Sequence, residues 1–271
     1  MPEKIFALRN LSSVVKPDHF HLHNSFELYL FLQGDVNYFV EKSIYHLTRG
    51  TLLMFTNNEI HMAANLSSKT YERIVISFPP EIAKDFSTEH TNLLSCFLNR
   101  KKGENNAILL SKKQLNIYLA LATKLIENSH YENYGDDVLA TTYLIQMLIF
   151  INKIYKHDEI LLEQYPLSEK LQDILKFIDN HLTEDLSLNI ISEYFSLNKS
   201  YLGRLFKKET GSTIYNLILL KRITLAKQLL SEGKNVSEAC FLSGFNDYSN
   251  FIRTFKQITG YSPTKYNKLH L

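Results

Sequence analysis

This 271-residue chain is short of three things: it has two cysteines, no long uninterrupted apolar run and almost no net charge. Cys96 and Cys240 stand far apart among apolar neighbours, which suits small core residues in a reducing compartment better than a disulfide framework. The most hydrophobic stretch, Thr141 to Tyr155, is interrupted by Gln146 and Asn152 and falls short of the roughly 20 residues that a membrane span requires. It reads as a buried helix. Residues from Met1 to His19 include Lys4, Arg9, Lys16 and Asp18 and contain no apolar core of a signal peptide. These absences point to the cytoplasm and away from a membrane. The formal charge of +2 excludes no partner, but it is unevenly placed: 14 Lys and Arg face 10 Asp and Glu from Ser168 onward, leaving an acidic excess before it. Where charges sit matters more than their sum.

An apolar content of 45% over this length is enough for two domains, each with its own core. Between residues 20 and 78, the runs Phe26 to Leu32, Val36 to Val40, Leu52 to Phe55 and Arg73 to Phe78 are rich in β-branched and aromatic residues. Turn chemistry separates them at Gln33-Gly34-Asp35, Glu41-Lys42-Ser43 and Thr56-Asn57-Asn58. Short strands at this spacing predict a small barrel or sandwich. From Ser111 the period lengthens, with Leu115, Leu119, Ala122, Leu125 and Ile126 at helical spacing, and a second helix follows from about Asp136 to Lys156. That second helix is apolar on most of its circumference, so it needs cover on several sides, from the barrel or from another subunit.

Periodicity lapses between Lys156 and Leu167, a natural linker, and everything after it reads as helical. Helix starts are marked by Ser168, Ser187, Asn198, Thr213, Asn235 with Glu238, Asp247, and Ser262 before Pro263. Stops are marked by Gly211, Gly233 and Gly260. The caps outline about seven helices. The segment Ser200-Tyr-Leu-Gly-Arg-Leu-Phe-Lys-Lys-Glu-Thr-Gly211 returns as Ser249-Asn-Phe-Ile-Arg-Thr-Phe-Lys-Gln-Ile-Thr-Gly260, with six identities in twelve positions at an offset of 49. Each copy follows a shorter helix and a tight turn, the helix-turn-helix arrangement whose second helix enters the major groove. In each copy one face is apolar. The other keeps Ser200, Tyr201, Gly203, Arg204 and Lys207 in the first, and Tyr248, Ser249, Asn250, Arg253 and Lys256 in the second. Arginine can offer two donors to guanine, asparagine can pair with adenine, and lysine can neutralise a phosphate. The helix between the copies, about Thr213 to Ser231, can hold two reading heads about one DNA turn, roughly 34 Å, apart.

The region from Ser168 to His270 resembles the DNA-binding domain of the arabinose-regulator (AraC) family, most closely in GFNDYSNFIRTFKQITGYSPTKY at Gly244 to Tyr266. Ser192 and Cys240 stand where that family has alanine, Asn198 where it has serine, and Asn267 where it has arginine. The resemblance implies a transcription regulator that binds double-stranded DNA, contacts RNA polymerase and works as a homodimer through the helices between Ser111 and Lys156.

In the N-terminal half, His21-x-His23-x3-Glu27-x6-Gly34 and Gly50-x5-Thr56-x-Asn58-x2-His61-x3-Asn65 resemble the two motifs of the cupin barrel family. If strand alternation runs through residues 21, 23 and 27, they share one face, and His61 from a facing strand completes a set able to hold a divalent metal. Two readings stay open on these residues alone: a cupin-type metal-dependent enzyme with a helical appendage, or a polar lining for a small ligand. The AraC resemblance implies the second, a sensor that binds a small effector, often a sugar or related metabolite, with no catalytic residue, metal or other cofactor. Its expected effector site is His21, His23, Glu27, Tyr29, Tyr38 and His61. The fold expected is therefore α+β, with a cupin-like effector-sensing barrel over residues 1–110, a helical dimerisation segment over 111–156, a linker over 157–167 and a DNA-binding domain over 168–271.

Overall fold

The computed structural model describes residues 4–12, 20–67, 69–155, 162 and 165–270. In chain order its elements are β1 (Phe6–Ser12), β2 (Phe26–Gln33), β3 (Val36–Val40), β4 (Ser43–His46), β5 (Thr51–Phe55), β6 (His61–Asn65), β7 (Tyr71–Phe78), α1 (Pro80–Asp85), α2 (Ser95–Leu98), β8 (Ala107–Leu109), α3 (Lys112–Asn128) and α4 (Asp136–Tyr155). After them come β9 (Tyr165–Pro166), α5 (Glu169–Asn180), α6 (Leu188–Tyr194), α7 (Lys199–Thr210), α8 (Ile214–Ser231), α9 (Val236–Leu242), α10 (Tyr248–Thr259) and α11 (Pro263–His270). The fold is thus α+β, an antiparallel sheet region followed by helices and then a helical domain. The chain divides into two compact units. The first takes Met1–Lys16, Asn24–Glu59 and Asn65–Tyr165, and the second takes Pro17–His23, Ile60–Ala64 and Pro166–Leu271. The segment expected as a linker, 157–167, lies largely outside the described residues.

The first unit is built on a five-stranded antiparallel sheet in the order β1-β7-β2-β5-β8. Its register separates the side chains into two faces, because directly paired residues point the same way. One face carries Ala7, Ile76, Leu28 and Met54 in one row and Ile74, Leu30, Leu52 and Ile108 in the next. These residues form one core with Leu115, Tyr118, Ala122 and Leu125 of α3 and with Ala140, Leu144, Met147 and Ile151 of α4. The other face carries Phe6, Ser77, Glu27 and Phe55, then Leu8, Val75, Tyr29 and Leu53, then Asn10, Arg73 and Phe31. Burial on both faces explains why β2 reads as an almost unbroken apolar run rather than an alternating one. β3 and β4 pair as a separate antiparallel hairpin.

Helix α3 starts at a capping box in which Ser111 and Gln114 satisfy each other's backbone N–H. Helix α4 runs 20 residues, close to the span of about Asp136 to Lys156 expected from sequence, with Asp136 and Asp137 in its first turn. By length and composition alone it could cross a membrane. Its Asn152, however, is a tether: the side chain accepts from Cys96 N–H at 2.9 Å and donates to Leu93 O at 2.8 Å. The α4 face away from the sheet leaves Val138 60% and Leu139 42% exposed, so within this unit the helix is covered on one side only. Strands β1, β4, β8 and β9 and helices α1 and α2 were not foreseen from sequence. β1 is an edge strand whose outward residues stay half in water, which blurs its alternation.

A buried ion pair ties the loop before β8 to the sheet. Arg100 Nη1 and Nη2 meet Glu59 Oε1 and Oε2 at 2.6 and 2.7 Å, with both side chains 1% exposed. Glu59 also accepts from Thr56 N–H, Gly103 N–H and Asn106 Nδ2, while Arg100 Nη2 donates to Met54 O. Burial alone would raise the Glu59 carboxyl, but the Arg100 fork and the N–H donors outweigh it and hold it below the usual carboxylate range. Removing one partner leaves the other charged and dry, so Glu59→Gln is expected to cost about 3–5 kcal/mol in urea denaturation. Because folded Glu59 is the stronger acid, its contribution is complete above the ordinary glutamate value of about 4.3 and is lost as pH falls through the lowered folded value. Glu59→Gln should therefore flatten the acid limb of the stability curve; an unchanged limb would assign that dependence to other groups.

Candidate nucleic-acid interface

Seven helices, α5 to α11, make the C-terminal part of the second unit, and local chemistry sets most of their ends. Ser187, Asn198, Thr213, Asn235 and Asp247 each accept from a backbone N–H of the first helical turn. Ser168 occupies its expected N-cap position, but its hydroxyl instead donates to Glu209 Oε2 at 2.7 Å. Gly211 and Gly260 close α7 and α10 in the left-handed conformation at φ 76° and 77°.

The internal repeat is a repeat of hydrogen bonds as well as of letters. Thr210 Oγ1 donates to Phe206 O at 2.7 Å and accepts from Ser212 N–H; Thr259 Oγ1 donates to Phe255 O at 2.8 Å and accepts from Tyr261 N–H. Leu202, Phe206 and Thr210 are buried in the first copy, as are Phe251, Phe255 and Thr259 in the second. The turns close alike, by Leu197 N–H on Ser192 O at 2.8 Å and Phe245 N–H on Cys240 O at 3.2 Å. Ser192 and Cys240 are both buried at these junctions, where only a small side chain lets the two helices of a unit approach.

The outward side of each second helix carries the polar set read from sequence. Ser200, Tyr201, Arg204, Lys207, Tyr248, Ser249, Arg253 and Lys256 are exposed, with Gly203 and Asn250 half-buried. Among the described residues Arg204, Lys207 and Lys256 have no carboxylate partner, which leaves their charge available to a polyanion. Arg253 Nη2 donates to Asn250 Oδ1 at 3.0 Å, so the two move as one polar group. Tyr201 is steadied by Lys170, whose Nζ lies 5.4 Å from the ring centroid.

What fixes the two helix-turn-helix units in one body is α8 together with the turn before α10. α8 is 18 residues long and buries Ile214, Leu217, Ile218, Leu220, Ile223, Ala226 and Leu230. Its Arg222 donates from Nε to Leu182 O at 3.0 Å and from Nη2 to Glu184 O at 2.7 Å, clamping the loop that leads into α6. Gly244, in the second turn at φ 92°, presses on the same loop: a Cβ there would lie 2.7 Å from Leu182 O and 2.9 Å from Arg222 Nε. Sequence reading placed Gly244 in a turn but gave Arg222 no role, because a clamp on backbone carbonyls has no spacing to betray it.

The residues expected to form an effector site are divided between the units. His21, His23 and His61 belong to the second, where His21 and His61 exchange backbone N–H···O bonds at 3.1 and 3.3 Å. The His61 ring lies 4.3 Å from that of His21 and 5.0 Å from that of His23, centroid to centroid. The strands carrying them touch the first reading head: Asn216 Nδ2 donates to Phe20 O at 2.9 Å, and the rings of Phe20 and Phe206 pack edge to face at 6.5 Å. Glu27, Tyr29 and Tyr38 belong to the first unit. Residues 21 and 23 lie outside the strand that carries Glu27, because the chain bends at Asn24 and Ser25 before β2 begins. On β2 and β3 the rings of Tyr29 and Tyr38 lie 4.7 Å apart, Ser77 Oγ donates to Glu27 Oε2 at 3.4 Å, and the Tyr29 and Tyr71 hydroxyls are hydrogen-bonded. Burial, reinforced by the neighbouring tyrosines, pushes the Tyr29 phenol well up, so it stays neutral.

Comparison with known proteins gives two family matches: a helix-turn-helix domain over residues 191–269 and an AraC-like ligand-binding domain over residues 14–129. A probable transcriptional regulator of Photobacterium leiognathi, LumQ, is 26% identical over 254 residues, covering 93% of this chain and 92% of that one. An HTH-type transcriptional regulator of Staphylococcus aureus is 27% identical over 158 residues; the match spans 58% of this chain and 21% of that protein's length. Among solved structures, a Listeria innocua protein of unknown function is 34% identical and matches 38% of this chain and 100% of its own, with a TM-score of 0.37. ToxT of Vibrio cholerae is 16% identical and matches 98% of each chain, with a TM-score of 0.39.

The double contact at Gly244 makes a specific demand. Gly244→Ala is expected to cost about 1–3 kcal/mol by overpacking in chemical denaturation followed by helical circular dichroism. Gly233, also at positive φ but with nothing within 4 Å of a Cβ, serves as the control, since alanine there meets backbone strain alone. Equal losses at the two positions would mean that the close approach contributes nothing.

Proposed function

The chain belongs to the AraC family of transcriptional regulators, and from that premise we propose that one subunit reads two successive major grooves with α7 and α10 while a small effector in its N-terminal part sets the outcome. The observation that carries this reading is the duplicated scaffold: two helices that bury equivalent positions, Leu202, Phe206 and Thr210 in one and Phe251, Phe255 and Thr259 in the other, each presenting an exposed Arg and Lys. Arg204 and Arg253 are the shared base-reading elements, with Lys207 and Lys256 on phosphates. Ser200 and Ser249 are shared as well, while Tyr201 and Gly203 in one head and Tyr248 and Asn250 in the other supply the contacts that differ, so the half-site is asymmetric and about two helical turns long.

In this reading residues 1–110 sense the effector, 111–156 mediate dimerisation, 157–167 link and 168–271 bind DNA. The exposed Val138 and Leu139 on α4 support a homodimer. RNA polymerase is the protein partner at the promoter, the protein acts in the cytoplasm, and no residue is given a catalytic role. Within the first unit Glu27, Tyr29 and Tyr38 are the proposed effector contacts; within the second, His21, His23 and His61 form a candidate polar cluster of their own. The coupling route runs through the Phe20 and Asn216 contacts to the first reading head.

Footprinting on the promoter tests the DNA assignment. Arg204→Ala and Arg253→Ala should each cost about 1–3 kcal/mol at the matched site and relax specificity there, in different halves of the footprint. Wild-type affinity should fall steeply as salt rises. Unchanged footprints in both variants, or affinity indifferent to salt, would defeat the assignment.

A further inference from the structure

The sheet face turned away from α3 and α4 holds an arginine one of whose nitrogens is buried with no acceptor among the described residues. On β7, Arg73 lies with its guanidinium carbon 4.4 Å from the centroid of the Tyr71 ring, and its Nη1 is buried without a hydrogen-bond partner among the described residues. The neighbouring acid on the strand, Glu72, points to the opposite face and is engaged by Arg9 at 2.6 Å. An N–H of a charged fork that is dry and unanswered is costly unless something occupies it. Stacking on Tyr71 holds the plane of the fork but supplies no acceptor.

The rest of this face is apolar and partly open. Cross-strand pairing sets Leu8 against Val75 and Val75 against Tyr29, in the row beside Arg73, and Phe6 against Ser77 in the row beyond. Phe6 is 57% and Leu8 42% exposed, and Val75 is half-buried, so the face is unsealed along the β1–β7 side. At ~3.3 Å per residue, Arg73 and Ser77 stand about 13 Å apart along β7. At the Ser77 end the charge is reversed, since Glu27 Oε2 accepts from Ser77 Oγ there. The face thus has a cation at one end, an apolar floor between and a carboxylate at the other.

We infer that the effector is an amphipathic monocarboxylate of medium length, its carboxylate on the Arg73 fork and its apolar body along Val75, Leu8 and Phe6. This rests on the proposed effector-sensing role and places the effector on this sheet face of the first unit, which shares Glu27 and Tyr29 with the effector contacts expected from sequence. A planar guanidinium takes a carboxylate through two parallel N–H···O bonds, which gives the dry Nη1 the acceptor it lacks. Glu27 at the far end repels a second carboxylate and so fixes orientation. A sugar would need partners for a hydroxyl at nearly every carbon, and Val75, Leu8 and Phe6 offer none.

The test is calorimetric titration of the full chain with decanoate, decan-1-ol and arabinose. Decanoate should bind at least tenfold more tightly than decanol, and arabinose should give no binding. Arg73→Gln should bring decanoate down to the decanol level while leaving decanol unchanged. Leu8→Asp, at an exposed strand position that tolerates polarity, should weaken both by putting a hydrated charge where the apolar body needs an apolar contact. Decanoate binding no better than decanol, arabinose competing with decanoate, or full decanoate affinity in either variant would overturn the inference. If Arg73→Gln does not fold, Leu8→Asp decides alone. Footprinting of the same wild-type sample separates the two readings. DNA protection without decanoate binding removes only the monocarboxylate, whereas absence of protection removes the regulator reading whatever decanoate does.

Discussion

Two reading heads on one chain are useful only if the chain fixes the distance and rotation between them, and in this protein that constraint falls on a few backbone contacts around Leu182. Arg222 reaches that carbonyl from α8, and Gly244 approaches it from the second turn. Neither contact belongs to a reading helix. Both hold the start of the first helix-turn-helix unit against the turn of the second, with α8 as the strut between. An 18-residue helix spans about 27 Å, close to the rise of one DNA turn, so a strut of this length suits two adjacent grooves only if its ends are rigid. Burial around most of α8 supplies that rigidity, and it is the reason the helix lacks the polar stripe of a surface helix.

Within each head the same physics divides inside from outside. The buried half is duplicated down to individual hydroxyls: Thr210 and Thr259 bond back to the preceding turn and forward past the terminal glycine in the same way. The exposed half shares Ser200 with Ser249, Arg204 with Arg253 and Lys207 with Lys256 and differs elsewhere, as at Tyr201 against Asn250. Packing constrains residues that touch protein, whereas residues that touch a partner are free to differ. A duplicated scaffold with unlike surfaces is what an asymmetric DNA sequence requires.

How much of this was legible in the sequence depended on how local the cause was. The caps of α6 to α10 were readable because a side chain two or three residues ahead of an N–H leaves a fixed spacing. The repeat was readable because both copies fold on the same contacts. β1 was not, since an edge strand half in water keeps no clean alternation. The bend at Asn24 and Ser25, which puts His21 and His23 in one unit and Glu27 in the other, carries no proline or glycine to announce it. Arg73 was passed over because its neighbours Asn10 and Phe31 come from strands far away in sequence, and only the register brings them beside it.

An effector changes DNA binding only to the extent that it binds two arrangements unequally, and coupling of about 1–3 kcal/mol is typical. That sets a scale for the contacts able to transmit it. In the second unit the contacts between the segment carrying His21 and His23 and the first reading head include an amide-to-carbonyl bond, Asn216 to Phe20, and an edge-to-face ring pair, Phe20 with Phe206. A net hydrogen bond is worth about 0.5–1.5 kcal/mol, and an aromatic pair adds a similar amount beyond its buried area. Together they match the coupling required, without any helix unfolding. They are also attached where a small shift matters: Phe206 is in the buried stripe of α7, and Asn216 sits in the first turn of α8, the strut that fixes the second head. A displacement of the histidine-bearing segment therefore acts first on α7 and on the start of α8, the two elements that its contacts reach.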